Sequence, residues 1–357
     1  MQNSFLRPSE KAVYDLRALY RTYGYRYYKV SRFEEYDLYA KNKSFLADKN
    51  VLTFTDTDGR LMALKPDVTL SIIKNTDVMS GMQKVFYNEQ VYRTNGGGFC
   101  EIMQTGLECI GDIDLYSTAE VINLAYKSLE LINEDFIIDL SHMGFVLGLV
   151  SNLTQDESVS RRLTNAVSDK NTAEIQAVCQ KIGADPKPLC TLAMLYGTSE
   201  YCLDQMKLLI VNDKMQSAWQ ELYDITEILK QQGIYKNIRL DFSVINDMRY
   251  YNGIIFRGFI NGVWGSVLSG GRYDNLMLCM GKNCGAIGFA VYLDKLDRLL
   301  MQKSETDVDI LLVYEKGTPP VVVAKEVQKL SQGNKTVRAQ CGEKTDLRVG
   351  TVIKMEV

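Results

Sequence analysis

Residues 101–110 alternate by twos, a strand period that sets Ile102, Gln104, Gly106, Glu108 and Ile110 on one face. A half-buried strand normally turns an apolar set inward and polar groups outward, yet here an amide, a gap and a carboxylate share a face with two isoleucines. If that face points inward it is a pocket floor, because Gly106 leaves room for a small ligand to take hydrogen bonds from Gln104 and Glu108. If it points outward, the same residues are the wet side of a sheet, and spacing alone does not choose. Other chemistry-bearing residues are few. His142 is the one histidine in the chain and stands at a strand end with no obvious Asp or Ser partner, so it reads as structural rather than as a base. Asp67 follows Pro66 where a helix should begin, and capping is its simplest role. The eight cysteines (100, 109, 179, 190, 202, 279, 284 and 341) contain no C-x-x-C pair and read as reduced, mostly core thiols. With a single histidine beside them, no Cys/His zinc site is expected.

The elements that must position these residues can be read in order. Ser9 to Tyr23 has an apolar stripe at helical spacing that Gly24 is placed to stop. Thr53 to Thr55 and Leu61 to Leu64 flank an Asp58-Gly59 turn, a strong hairpin signal. Val85 to Gly111 reads as two strands joined by a glycine-rich loop. Thr118 to Ile132 follows as a helix and Asp135 to Ser141 as a strand. From about residue 150 to 235 the chain is polar, strand-poor and rich in helical patterns, which marks a helical insertion. Strands resume at Ile238 to Val244 and at YYNGIIFRGFI, with an Asn261-Gly262 turn before VWGSVLSGGRYDNL. GAIGFAVYLDKLDRLL supplies a last strand and helix. Residues 308–357 read as strand, helix and strand.

Composition narrows the class of function. At 357 residues, 46% hydrophobic and 24% charged, the chain has the make-up of an ordinary soluble protein of two or three structural units. No apolar run approaches the ~20 residues that span a bilayer, and MQNSFLRPSEK lacks the apolar core of a signal peptide, so no membrane partner and a cytoplasmic location are expected. A net charge of −3 without a lysine or arginine cluster argues against a nucleic-acid binder.

The order of these elements resembles the catalytic core of the class II aminoacyl-tRNA synthetases, and KPDVT, VYRTN, MQTGLECIG, YYNGIIF, SGGRYDNL and GAIGFAVYLDKL resemble its histidyl branch specifically. The resemblance covers residues 1 to about 300. It implies an α+β fold with an antiparallel sheet flanked by helices, a core over 1–303 carrying the helical insertion, and a small C-terminal α/β remnant over 304–357. It also implies a histidine-binding site made of Asp67, Thr69, Arg93, Gln104, Glu108, Tyr250, Tyr251 and Tyr273, with Asp67 and Thr69 on the ligand's amino group.

The departures from that family concern cations. Asn95, Gly96, Gly97, Gly98 and Phe99 replace a longer charged loop, and Cys100 stands where a second arginine would be. Tyr292 replaces a glycine beside the adenine slot, and Lys295 replaces the arginine that grips the triphosphate, without its planar two-pronged geometry. Asn246 occupies the place of an arginine that acts on the substrate carboxylate. Adenylation needs positive charge where phosphoryl and carboxyl oxygens meet, so these losses argue against it.

A synthetase-like core so altered resembles the regulatory-subunit family of ATP phosphoribosyltransferase, which acts in the first step of histidine biosynthesis. That resemblance implies no catalytic residues and no cofactor, and as partners a short-form catalytic subunit, histidine as effector, and a homodimer within a hetero-oligomer. Transfer RNA is not expected as a partner, because the tail is about half the size of a synthetase anticodon-binding domain. No phosphoribosyl-diphosphate loop is evident, so the transferase chemistry is expected in the partner. The competing readings are an active histidyl-tRNA synthetase and a synthetase-like histidine sensor. The proline usual in the dimer strand of class II cores is absent from KVSRFEEYDL.

Overall fold

A computed structural model of the chain describes residues 8–46, 50–77, 81–95, 98–244, 250–300, 306–332 and 335–355. The chain divides into two compact units, Met1–Leu299 and Leu300–Val357. The first begins with helix α1 (Pro8–Thr22), ended by Gly24 at φ +81°, a left-handed turn that costs glycine nothing. The edge strand β1 (Arg26–Tyr27) follows. Strand β2 (Phe33–Glu35), helix α2 (Tyr36–Lys41), and the hairpin β3 (Thr53–Thr55) and β4 (Leu61–Leu64) then form a small three-stranded sheet in the order β2-β4-β3. Gly59 sits at φ +81° in the hairpin turn, as the Asp-Gly pair predicts.

Helix α3 (Thr69–Asn75) leads into the long antiparallel pair β5 (Gln83–Asn95) and β6 (Gly98–Gly111). Helix α4 (Leu115–Ile132) starts where Asp114 accepts the Ser117 N–H at 2.7 Å. Strand β7 (Phe136–His142) runs directly into α5 (Met143–Leu153). The insertion is helical as its composition predicts: α6 (Glu157–Ser168), α7 (Thr172–Ile182), α8 (Lys187–Met194), the short strand β8 (Tyr196–Gly197), α9 (Ser199–Lys207) and α10 (Asp213–Gln231). Asp156, Asn171 and Asn212 cap three of these helices. The chain returns through β9 (Ile238–Asp241), β10 (Ile254–Ile260), β11 (Leu268–Arg272), α11 (Asp274–Cys279), β12 (Gly285–Tyr292) and α12 (Leu293–Leu300).

Nine of these strands make one sheet in the order β1-β5-β6-β12-β11-β10-β7-β9-β8. Its central pairings are antiparallel as predicted, but β1 with β5 and β7 with β9 pair parallel. Helices α1 and α4 pack on one face, where Tyr20 sits edge-on to Phe289 and its hydroxyl shares a 3.0 Å hydrogen bond with Ser128. The other face carries the small sheet, α3 and α11 over a core that includes Tyr39, Leu70, Ile73, Val91 and Met277.

The second unit holds β13 (Val308–Tyr314), α13 (Pro320–Leu330), β14 (Val337–Cys341) and β15 (Val349–Lys354). All three strands pair parallel in the order β14-β13-β15, one strand more than the periodicity reveals. One expectation for the cysteines needs correction: all eight are free, but only Cys109, Cys179 and Cys202 are buried, and Cys279 and Cys341 are exposed. Among the described residues no helix is long and apolar enough to cross a membrane.

Candidate functional site

The face of β6 that alternation left ambiguous is turned inward, with Gln104 and Glu108 only 3% and 2% exposed. Above it opens a cavity of about 650 Å³, and all eight residues named from the sequence (Asp67, Thr69, Arg93, Gln104, Glu108, Tyr250, Tyr251 and Tyr273) line it. They come from β5, β6, the entry to α3, the segment before β10 and the start of α11, so the fold gathers positions more than 200 residues apart.

Glu108 is the anchor of one end. Its Oε1 accepts the Thr69 hydroxyl at 2.8 Å and its Oε2 accepts the Tyr273 hydroxyl at 2.5 Å. Burial pushes its carboxyl up to about 8, against the pull of these two hydrogen bonds, and the neighbouring Asp67 raises it further. Gly288 on β12 makes room for it: a Cβ there would stand 1.8 Å from Oε2 and 2.4 Å from the Leu107 carbonyl oxygen. Asp67 does what capping predicts, its Oδ1 accepting the Leu70 N–H at 2.9 Å, and also lines the cavity. Burial raises its pKa, while the Leu70 N–H and the Arg93 charge oppose the rise. Arg93 is itself tied by Nε to the Pro66 carbonyl at 3.1 Å. Tyr250 stacks obliquely between Tyr251 and Tyr273, with ring centroids 4.6 and 5.6 Å away. Two desolvated carboxyls beside aromatic walls favour a ligand that brings N–H donors and positive charge.

The gap at Gly106 is not open floor. A Cβ there would lie 2.7 Å from the Tyr87 hydroxyl and 2.2 Å from the Phe289 carbonyl, so Tyr87 from the neighbouring strand covers it. The ligand space therefore lies beside Gly106, over β12 and β11, rather than directly above it.

The opposite end is closed by its own side chains. Tyr292, at the end of β12, reaches over to β11 to share a 2.7 Å hydrogen bond with Ser269. Lys295 lies with Nζ 5.3 Å from the centre of that ring and donates to the Ser266 carbonyl at 2.7 Å. Burial, and secondarily the charge of Arg257, depress its pKa. Asp294 accepts the Met103 N–H at 3.1 Å. Cys100 donates weakly from Sγ to the Arg93 carbonyl at 3.4 Å. Asn246, Gly96 and Gly97 lie outside the described residues.

Arg257, Tyr87, Ser266, Ser269 and Tyr292 line the same cavity, none of them named for the histidine site from the sequence, and the one charged residue among them is Arg257. Its signal is a lone arginine in the apolar run IIFRGFI. His142 is structural: its Nδ1 accepts the Gly144 N–H at 3.0 Å at the start of α5, and its Nε2 lies 2.9 Å from Glu221 of the insertion. Among the described residues no cluster of three or more His, Cys, Asp or Glu could hold a metal ion.

A cleft of this kind on a sheet of this order defines a chain of the histidyl-tRNA synthetase type, and the family profile described as histidyl-tRNA synthetase matches residues 3–296. A structure described as an ATP phosphoribosyltransferase regulatory subunit/histidyl-tRNA synthetase, from Bacillus halodurans C, superposes with a TM-score of 0.79 at 22% identity, over 97% of this chain and 93% of the other. A chain of an ATP phosphoribosyl transferase complex from Thermotoga maritima superposes with a TM-score of 0.65 at 19% identity, over 81% and 98%. In sequence, the ATP phosphoribosyltransferase regulatory subunit of Clostridium kluyveri is 31% identical over 84% of this chain and 81% of its own length. The chain belongs to the family of ATP phosphoribosyltransferase regulatory subunits, a branch of the histidyl-tRNA synthetase fold.

Proposed function

We propose that this chain is a non-catalytic subunit that a short-form ATP phosphoribosyltransferase requires for activity, and that it binds histidine in the cleft without activating it. The observation that carries this reading is the contrast within the cavity. Glu108, Thr69 and Tyr273 form a connected, buried set suited to an imidazole, while Tyr292 and Lys295 are bonded to the wall where a nucleotide would have to lie. Asp67, Thr69, Arg93, Gln104, Tyr250 and Tyr251 complete the histidine site in this reading. The chain works as a homodimer within the hetero-oligomer, in the cytoplasm, and transfer RNA is not a partner. Histidine inhibits by binding the less active complex more tightly than the active one, with a coupling on the order of 1–3 kcal/mol.

The test is reconstitution. A short-form catalytic subunit from the same organism should release pyrophosphate from ATP and phosphoribosyl diphosphate only when this chain is added, and histidine should suppress that rate. The chain alone should catalyse no histidine-dependent ATP–pyrophosphate exchange. Exchange by the isolated chain would support the synthetase reading and sink this one.

A further inference from the structure

Residues 65–68 join β4 to α3 and carry Asp67 to the cleft, and the residue that opens this segment is a lysine the eight-residue site does not explain. Lys65 is 0% exposed, so its ammonium lies inside the protein with the rest of its side chain. Burial depresses its pKa, and the Glu89 carboxylate opposes that fall. Its Nζ donates to Glu89 Oε2 at 2.6 Å and to the Val30 carbonyl at 3.4 Å. Glu34, also nearby, is paired with Lys74 at 2.8 Å, so Glu89 is the anion that answers Lys65.

The backbone of Lys65 is held by the same two walls. Its N–H donates to the Arg32 carbonyl at 3.1 Å, on the connector between β1 and β2, and its carbonyl accepts the Tyr92 N–H at 3.0 Å, on β5. Glu89 closes the frame, its Oε1 accepting the Val30 N–H at 3.0 Å. Lys65 therefore clamps the connector to β5, and the segment that leads to Asp67 starts between them. Glu89 stands directly opposite Gln104 in the β5–β6 pairing and shares its face, which puts the ion pair on the cleft side of the sheet. Stability alone does not account for such a pair, because well-packed apolar residues of similar volume are often as good or better in its place.

We propose that Lys65 is a positioning residue, whose bonds to Glu89 and Val30 hold the Asp67 carboxylate where it receives the ammonium group of the bound amino acid. The inference rests on the histidine reading above and adds to it the residue that sets selectivity for a free amino group. A charge-assisted hydrogen bond depends steeply on distance and angle, so a small release at Lys65 is felt two residues on. Asp67 keeps its 2.9 Å bond to the Leu70 N–H in either case, and α3 stays capped.

The test compares histidine with imidazolepropionate, which keeps the imidazole and the carboxylate but lacks the ammonium, by calorimetric titration of the full chain. The native chain should bind histidine on the order of tenfold or more tighter than imidazolepropionate. The double variant Lys65→Met, Glu89→Gln removes both charges together, leaves no unpaired carboxylate beside the cleft, and keeps an acceptor for the Val30 N–H. In it the gap should fall to about threefold or less with imidazolepropionate affinity unchanged. Glu89→Gln alone, which keeps the lysine but weakens its hold, should give a gap in between, and it carries the test if the double variant fails to fold. Far-UV circular dichroism and the retained imidazolepropionate binding report folding. A native-sized gap in the folded variants, an equal loss of both ligands, or equal binding of the two by the native chain overturns the role of Lys65 while leaving the histidine reading intact. Absence of binding by either ligand to the native chain overturns both.

Discussion

The two ends of the cleft are built on opposite terms. At the Glu108 end, two carboxyls are held in a desolvated pocket at raised pKa, hydrogen-bonded to Thr69, Tyr273 and the start of α3, and among the described residues lining the cavity the cation beside them is the tied Arg93. At the Tyr292 end, the polar groups partner one another: Tyr292 with Ser269, Lys295 with a carbonyl and a ring, Asp294 with a backbone N–H. A buried group held away from its preferred protonation state gains when a complementary ligand arrives, whereas groups already paired within the wall must first be parted. In the proposed reading, this asymmetry is how a synthetase-like fold keeps recognition of an amino acid while the handling of a nucleotide is lost.

The largest effect should come from collapsing the better-kept end. Gly288→Ala places a methyl where the Glu108 carboxylate and the Leu107 carbonyl already are, so it should lower stability by roughly 2–3 kcal/mol and remove histidine binding. Chemical denaturation and calorimetry of the same preparation would read both, and a variant that binds and folds normally would show that Glu108 does not depend on that gap.

A smaller effect separates the ends by pH. Glu108 takes up a proton on folding, because its carboxyl titrates at about 8 in the folded chain against an ordinary 4.5. The stability it contributes is complete below about pH 4.5 and is lost as pH rises through about 8. Glu108→Gln should therefore gain on the native chain by a few degrees of melting temperature between those limits. Bound to an imidazole, the pair shares one proton, so histidine affinity should be greatest between about pH 6.5 and 8 and fall on either side. A flat profile would place the imidazole elsewhere.

Much of this fold is legible in the sequence because its signals are local. Apolar spacing marks α1 and α4, the Asp58-Gly59 pair fixes the β3–β4 hairpin, and the polar helical stretch sets off the insertion. The parallel pairings of β1 with β5 and of β9 with β7 are not, since nothing in a two- or four-residue strand states its partner. The site follows the same division. Gln104 and Glu108 stand out by alternation, but whether their face was wet depended on α3 and α11 lying over it. Tyr87 over Gly106, Glu221 beside His142, and Arg257 opposite Ser269 are cross-strand or long-range placements, invisible until the register is known.

The most direct test of the contrast is a pair of calorimetric titrations on the purified chain at pH 7, one with histidine and one with ATP and magnesium. Histidine should bind and ATP should not, with or without histidine present. Saturable ATP binding in the cleft, strengthened by histidine, would contradict the account, because it would mean that the Tyr292 end still serves a nucleotide.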